Sequence, residues 1–228
     1  MKTYQTALIL GYGRSGKAAE RMLQAEGTKT IVLTRESSGD AELARALEAH
    51  RFDVCIVSPG FAWKHPWLYA VRDADIPLLA ELELGWSRHP GRTVAVTGSN
   101  GKSTMVKWLC ETLKQAGHTA EIGGNYGIPA CEVVLEHPDL EWLVLEVSSF
   151  QLETVVDFRA DAAIVLNLFP NHLDRHGSME VYGRTKARIF GSSSLAGDAG
   201  LVPFDSLQLF RQAVEGERHW VTFGTAPE

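Results

Sequence analysis

Short apolar runs alternate with amphipathic stretches along the chain, and most runs end in a glycine-rich or polar turn. Thr6 to Leu10 reads as a strand closing in GYGRSG, and a helical pattern follows from Lys17 to Ala25 until Gly27 stops it. Thr30 to Leu33 predicts a second strand, Ala41 to Ala49 a helix, and Asp53 to Val57 a third strand closed by Ser58, Pro59 and Gly60. Pro66 to Ala74 predicts a helix and Ile76 to Leu79 a short strand. The polar stretch from Ser87 to Gly91 marks a boundary between residues 1–91 and 92–228. A second series then begins with a strand from Thr93 to Thr97, a glycine turn, and a helix from Ser103 to about Ala116. Strands follow over Trp142 to Glu146 and Ala162 to Leu166, then a helix from Met179 to Phe190. A loop at 192–194, a helix from Leu207 to Val214 and a strand from Trp220 to Phe223 complete the pattern. Apolar strands alternating with helices predict parallel βαβ units, an α/β chain with a doubly wound sheet in its first half.

Composition narrows the function. The 228 residues are 45% hydrophobic and 22% charged, ordinary for a globular protein, with a net charge of -6. No basic run stands out, which argues against nucleic acid as a partner. No apolar stretch approaches the roughly 20 residues that span a bilayer, and the N-terminus lacks the layout of a signal peptide. Cys55, Cys110 and Cys131 are widely spaced with no CxxC, so free thiols in a reducing cytoplasmic setting are expected.

The strongest chemical signal is Gly98-Ser99-Asn100-Gly101-Lys102-Ser103-Thr104, between a buried strand and a helix. Glycines let backbone amides turn toward phosphate oxygens, and the helix N-terminus adds partial positive charge. Lys102 is expected on the β- and γ-phosphates and the Ser103 hydroxyl on magnesium. Val96 stands where the long form of this loop has its first glycine, so the match is to the shorter TGxxGKST form. A glycine turn that binds nothing is the alternative.

GYGRSG after the first strand fits GxGxxG, a Rossmann-like nucleotide turn. A nicotinamide cofactor, a second nucleotide held by its phosphates, and a structural turn are all compatible with it. The second strand ends in Thr34-Arg35-Glu36, where Arg35 suits a phosphate better than a ribose hydroxyl. Ser58-Pro59-Gly60 lies at the same rim of the sheet and forms a plausible second wall. Glu146 ends an apolar strand near the phosphate loop, a position suited to magnesium; a surface glutamate is the alternative reading. His172 sits in a polar cluster after the next strand and reads as metal ligand, phosphate contact or structural histidine. Lys186 by itself reads as a solvated lysine, and the glycine turn 123–127 could present Asn125 to a ligand.

Taken in order, GYGRSG, SPGFAWKHP, AVTGSNGKST, GGNYGIPA, LEVSSFQLE, NLFPNHLDRH and YGRTKARIF resemble the Mur ligases over Thr6 to about Phe190, and EVSSFQLE resembles their D-glutamate-adding branch. The resemblance implies an ATP-dependent amide ligase joining D-glutamate to UDP-N-acetylmuramoyl-L-alanine through an acyl phosphate. It implies that Lys102, Ser103 and Thr104 hold ATP phosphates and magnesium, that Glu146 and His172 meet magnesium ions, and that Lys186 carries a carbamate. Asn125 is expected on the substrate, with Ser148 and Gln151 supporting the site. Arg14, Ser15, Thr34, Arg35, Ser58 and Gly60 match positions near the uridine diphosphate. Family enzymes are longer, with a C-terminal domain that supplies the D-glutamate pocket. The chain therefore reads as a fragment unable to complete ligation, with unpaired sheet edges that favour association. A non-catalytic sugar-nucleotide module and a nicotinamide oxidoreductase are the competing readings.

Overall fold

A computed structural model describes residues 2–36, 38–191, 198–214 and 218–224. The loop expected at 192–194 lies outside them. The first sheet is built from β1 (Thr6–Leu10), β2 (Lys29–Leu33), β3 (Val54–Val57) and β4 (Leu78–Ala80), all parallel in the order β2-β1-β3-β4. Its helices are α1 (Arg14–Ala25), α2 (Asp40–Ala49) and α3 (Pro66–Asp73). Strand alternation fixes which face each residue serves. Leu8, Leu10, Cys55 and Val57 pack with Leu43, Trp67 and Leu68 on one face. Ala7, Ile9, Val54 and Ile56 join Ala18, Met22 and Leu23 of α1 on the other.

The second sheet contains β5 (Arg92–Thr97), β6 (Ala120–Gly124), β7 (Trp142–Glu146), β8 (Ala162–Val165), β9 (Ala199–Pro203) and β10 (His219–Phe223). They too run parallel, in the order β10-β9-β8-β5-β7-β6. Between them lie α5 (Lys102–Gln115), α6 (Ala130–Glu136), α7 (Ser149–Leu152), α8 (Leu173–His176), α9 (Met179–Ala187) and α10 (Leu207–Ala213). The helix expected to reach Phe190 becomes a 3-10 turn after Ala187. Gly123 and Gly124, expected in a turn, instead end β6, paired with Leu145 and Glu146 of β7 despite poor strand propensity.

A short helix that sequence pattern does not predict, α4 (Glu81–Trp86), joins the two sheets. Leu82 and Leu84 extend the core of the first sheet into that of the second, where Ala95, Val133, Leu143 and Leu145 lie. Two acids of α4, Glu81 and Glu83, are buried. Glu81 Oε1 accepts the Cys131 backbone N–H at 2.7 Å, and the Glu83 carboxylate accepts those of Val156 and Asp157. Burial pushes the Glu81 carboxyl up to about 7.

At Gly85 the two segments nearly touch: a Cβ would lie 2.5 Å from Cys131 N and 2.6 Å from Ala130 C. Alanine gains at most about 1 kcal/mol of helix propensity, whereas forcing backbones apart in a packed core costs about 1–3 kcal/mol. Gly85→Ala is therefore expected to lower stability in urea unfolding despite the better helix former; a gain would refute the close contact.

Candidate active site

Sheet order sets up the site. Strand β5 lies between β7 and β8, so the loop after Thr97 emerges with the ends of both neighbours beside it. Ligands in open parallel sheets bind at such carboxyl edges. Register supplies the detail: Val96 pairs with Glu146, and Gly124 with Glu146 on the far side. Gly124 has φ 100°, and a Cβ there would fall 2.4 Å from the Glu146 carbonyl oxygen, so only glycine lets β6 come this close. Asn125, the next residue, donates its backbone N–H to that oxygen at 2.8 Å.

Around Glu146 the side chains converge. The Ser103 hydroxyl donates to Glu146 Oε2 at 2.7 Å, and Asn125 Nδ2 donates to Oε1 at 2.7 Å. The carboxylate is 2% exposed, with a hydroxyl from the phosphate loop on one oxygen and an amide from the β6 loop on the other.

Lys102 and Lys186 meet at one carbonyl. Lys102 Nζ donates to Gly98 O at 3.1 Å and Ser99 O at 3.2 Å. Lys186 Nζ donates to Gly98 O at 3.0 Å and to Thr97 Oγ1 at 3.1 Å, and lies 4.7 Å from the centre of the Tyr182 ring. Lys186 is 1% exposed and has no acidic partner among these contacts. Burial, then the neighbouring Lys102 charge, lowers its amine to about 7. Lys186 is thus no solvated lysine; α9 carries it into the base of the phosphate loop.

The loop itself is tied to the segment after β8. Asn167 Oδ1 accepts the backbone N–H groups of Ser99 and Asn100, and Phe169 N donates to Ser99 Oγ. Thr97, Asn167 and Tyr182 are site residues that sequence reasoning did not single out. The signal for Asn167 is its place at the start of the polar NLFPNHLDRH segment, just past a strand end.

Other expected residues take different positions. Ser148 and Gln151 bond each other in a capping box at α7, which supports the shape of the segment after Glu146. His172 is exposed, has a left-handed backbone with φ 53°, and packs on the Phe150 ring with centroids 4.8 Å apart. None of the hydrogen bonds joining Lys102, Ser103, Asn125, Glu146 and Lys186 involves it. Gly101 precedes α5, and Thr104 lies exposed in its first turn.

A second cleft of ≈ 600 Å³ opens at the rim of the first sheet. Arg14, Ser15, Thr34, Arg35, Ser58 and Gly60 all line it. Arg35 stacks over Phe61 at 5.1 Å, and Ser58 Oγ donates to Gly11 O at 3.1 Å. The two sites are linked: Arg14 Nη2 donates to Gly127 O at 2.7 Å, on the loop that presents Asn125. Arg175 holds the other wall, donating to Pro59 O and Phe61 O while its guanidinium pairs with Glu153 at 2.6 Å.

Residues 96–228 match the Mur ligase middle domain. A UDP-N-acetylmuramoylalanine–D-glutamate ligase of Koribacter versatilis is 38% identical over 201 residues, covering 80% of this chain and 44% of its own length. The enzyme of that name from Nitratidesulfovibrio vulgaris is 39% identical over 203 residues, covering 81% and 46%. That of Bacillus cereus is 33% identical over 237 residues, covering 97% and 52%. The chain thus spans about half the length of the curated relatives it matches. Among solved structures, the UDP-N-acetylmuramate:L-alanyl-gamma-D-glutamyl-meso-diaminopimelate ligase of Neisseria meningitides superposes with a TM-score of 0.55 at 17% identity, covering 97% of this chain and 78% of that one, a likeness of fold. With the phosphate loop, the strand-end glutamate and the domain match in agreement, the chain belongs to the Mur ligase family.

Proposed function

We propose that this chain forms the sugar-nucleotide and ATP sites of a ligase that joins D-glutamate to UDP-N-acetylmuramoyl-L-alanine in the cytoplasm. Residues 1–91 take the sugar nucleotide and 92–228 take ATP. The observation that carries the reading is the convergence of Ser103 and Asn125 on the buried Glu146 carboxylate beside two lysine amines. The relatives' shared name supports the choice of substrates.

A hydroxyl and a carboxylate are the hard oxygen donors magnesium prefers, so Ser103 and Glu146 fit that ion. Magnesium there would offset the charge of the phosphates. The substrate carboxylate attacks the γ-phosphorus of ATP and ADP leaves; the D-glutamate amine then displaces phosphate from the acyl phosphate and loses a proton. Two anions must approach each other in the first step. Lys102 supplies positive charge at the phosphates, and the α5 amides add to it. Asn125 holds Glu146 on one side and is itself placed by the loop that Arg14 grips from the sugar-nucleotide cleft. Burial lowers the Lys186 amine to about 7, so a large share of it is neutral near neutral pH; the neutral amine adds carbon dioxide, its nitrogen bonding to carbon with loss of one proton, and the resulting carbamate would place an anion beside Lys102.

Calorimetric titration of this chain with UDP-N-acetylmuramoyl-L-alanine tests the first cleft, with micromolar binding expected. A folded chain that binds neither this nucleotide nor magnesium-ATP would overturn the proposal. With bicarbonate supplied, intact-mass spectrometry under non-acidic conditions is expected to show the added mass of one carbon dioxide on wild type and none on Lys186→Met; equal masses would remove Lys186 from the role.

A further inference from the structure

We infer that Asn167 is a positioning residue that holds the phosphate loop open for a nucleotide before any arrives; this rests on the ATP reading above. One side chain makes three hydrogen bonds to the loop backbone. Its Oδ1 accepts from Ser99 N at 3.0 Å and Asn100 N at 2.9 Å, and its Nδ2 donates to Asn100 O at 3.1 Å. Two residues on, Phe169 N donates to Ser99 Oγ at 2.8 Å, and that hydroxyl donates back to Phe169 O at 2.9 Å. The segment after β8 thus runs alongside the loop and pins it from the side opposite Glu146.

The reason for such a clamp is entropic. A loop with glycines at 98 and 101 has many conformations open to it, and gathering its amides around phosphate would otherwise fall to the ligand. Asn167 divides the amides into two sets. Those of Ser99 and Asn100 are spent on shape, whereas those at the start of α5 have no helical partner and stay available for an anion. Ser99 and Asn100 therefore shape the loop while Gly101 to Thr104 take the charge.

Amide hydrogen exchange on the ligand-free chain, paired with magnesium-ATP titration, tests this. Ser99 and Asn100 amides are expected to be protected in wild type. Ser99 N also donates to the Asn167 backbone carbonyl at 3.2 Å, which alanine keeps, so Asn167→Ala is expected to speed exchange of the Asn100 amide and weaken nucleotide binding, each by about tenfold, with β7 amides unchanged. Asn167→Asp keeps the acceptor and is expected to keep both amides protected; it also serves if the alanine variant fails to fold. Wild-type amides exchanging like an exposed loop, or an alanine variant with wild-type Asn100 protection and wild-type affinity, would overturn the inference. Protected amides in a wild-type chain that binds no nucleotide would overturn the ATP reading and leave the clamp standing.

Discussion

Lys102→Ala is expected to weaken magnesium-ATP binding to this chain by about 10- to 100-fold, the loss that follows from removing a hydrogen bond to a charged partner. The ligand-free contacts of Lys102 show why the loss falls on binding rather than on folding. Its amine rests on two carbonyls of its own loop, Gly98 O and Ser99 O, and Gly98 O keeps the Lys186 amine as a donor when the Lys102 side chain is cut back. Stability in urea should therefore change little while affinity collapses. Lys102→Arg does not rescue, because a planar fork cannot replace a compact ammonium inside a tight loop. Isothermal titration of both variants decides the matter, and affinity kept in Lys102→Ala would mean that phosphate lies elsewhere.

The second large effect is on stability as a function of pH. Burial and the Lys102 charge lower Lys186 from 10.5 to about 7. An unfolded lysine stays protonated until about 10.4, so between these limits the unfolded chain binds the extra proton. Stability then rises with pH through that window by about 1.4 kcal/mol per unit from this group, and the penalty of the buried charge is fully present below pH 7. Lys186→Met removes the contribution. The difference between the two unfolding free energies, measured in bicarbonate-free buffer, should swing toward the variant in acid and toward wild type in base. A pH-independent difference would mean that the Lys186 amine stays charged in the folded chain.

Much of the architecture is legible in residue pattern because the strands are short apolar runs cut off by glycine. Trp142–Glu146 stands where its apolar run and the terminal acid place it. The phosphate loop is legible because its chemistry needs particular residues next to one another. What pattern misses has physical causes. In α4, Glu81 and Glu83 look like a solvated face, but their carboxylates cap backbone amides distant in sequence. Strand β9 contains Gly200 and Pro203 and keeps only Leu201 and Val202 as signal, so pairing with its neighbours makes it a strand. Lys186 reads as surface until tertiary packing buries it on Thr97 and Gly98, and its importance is legible beforehand only through resemblance. Asn167 opens the NLFPNHLDRH segment, but its role as a clamp exists only once β8 lies beside β5.

The account rests on one cluster of charge at the end of β5 and β7, and a crystal structure of this chain with magnesium and a non-hydrolysable ATP analogue tests it most directly. Phosphates are expected against Lys102 and the first amides of α5, with the metal between the Ser103 hydroxyl and a Glu146 oxygen. Phosphates bound away from the 98–104 loop, or a Glu146 still hydrogen-bonded to Ser103 with the metal held by other residues, would contradict it.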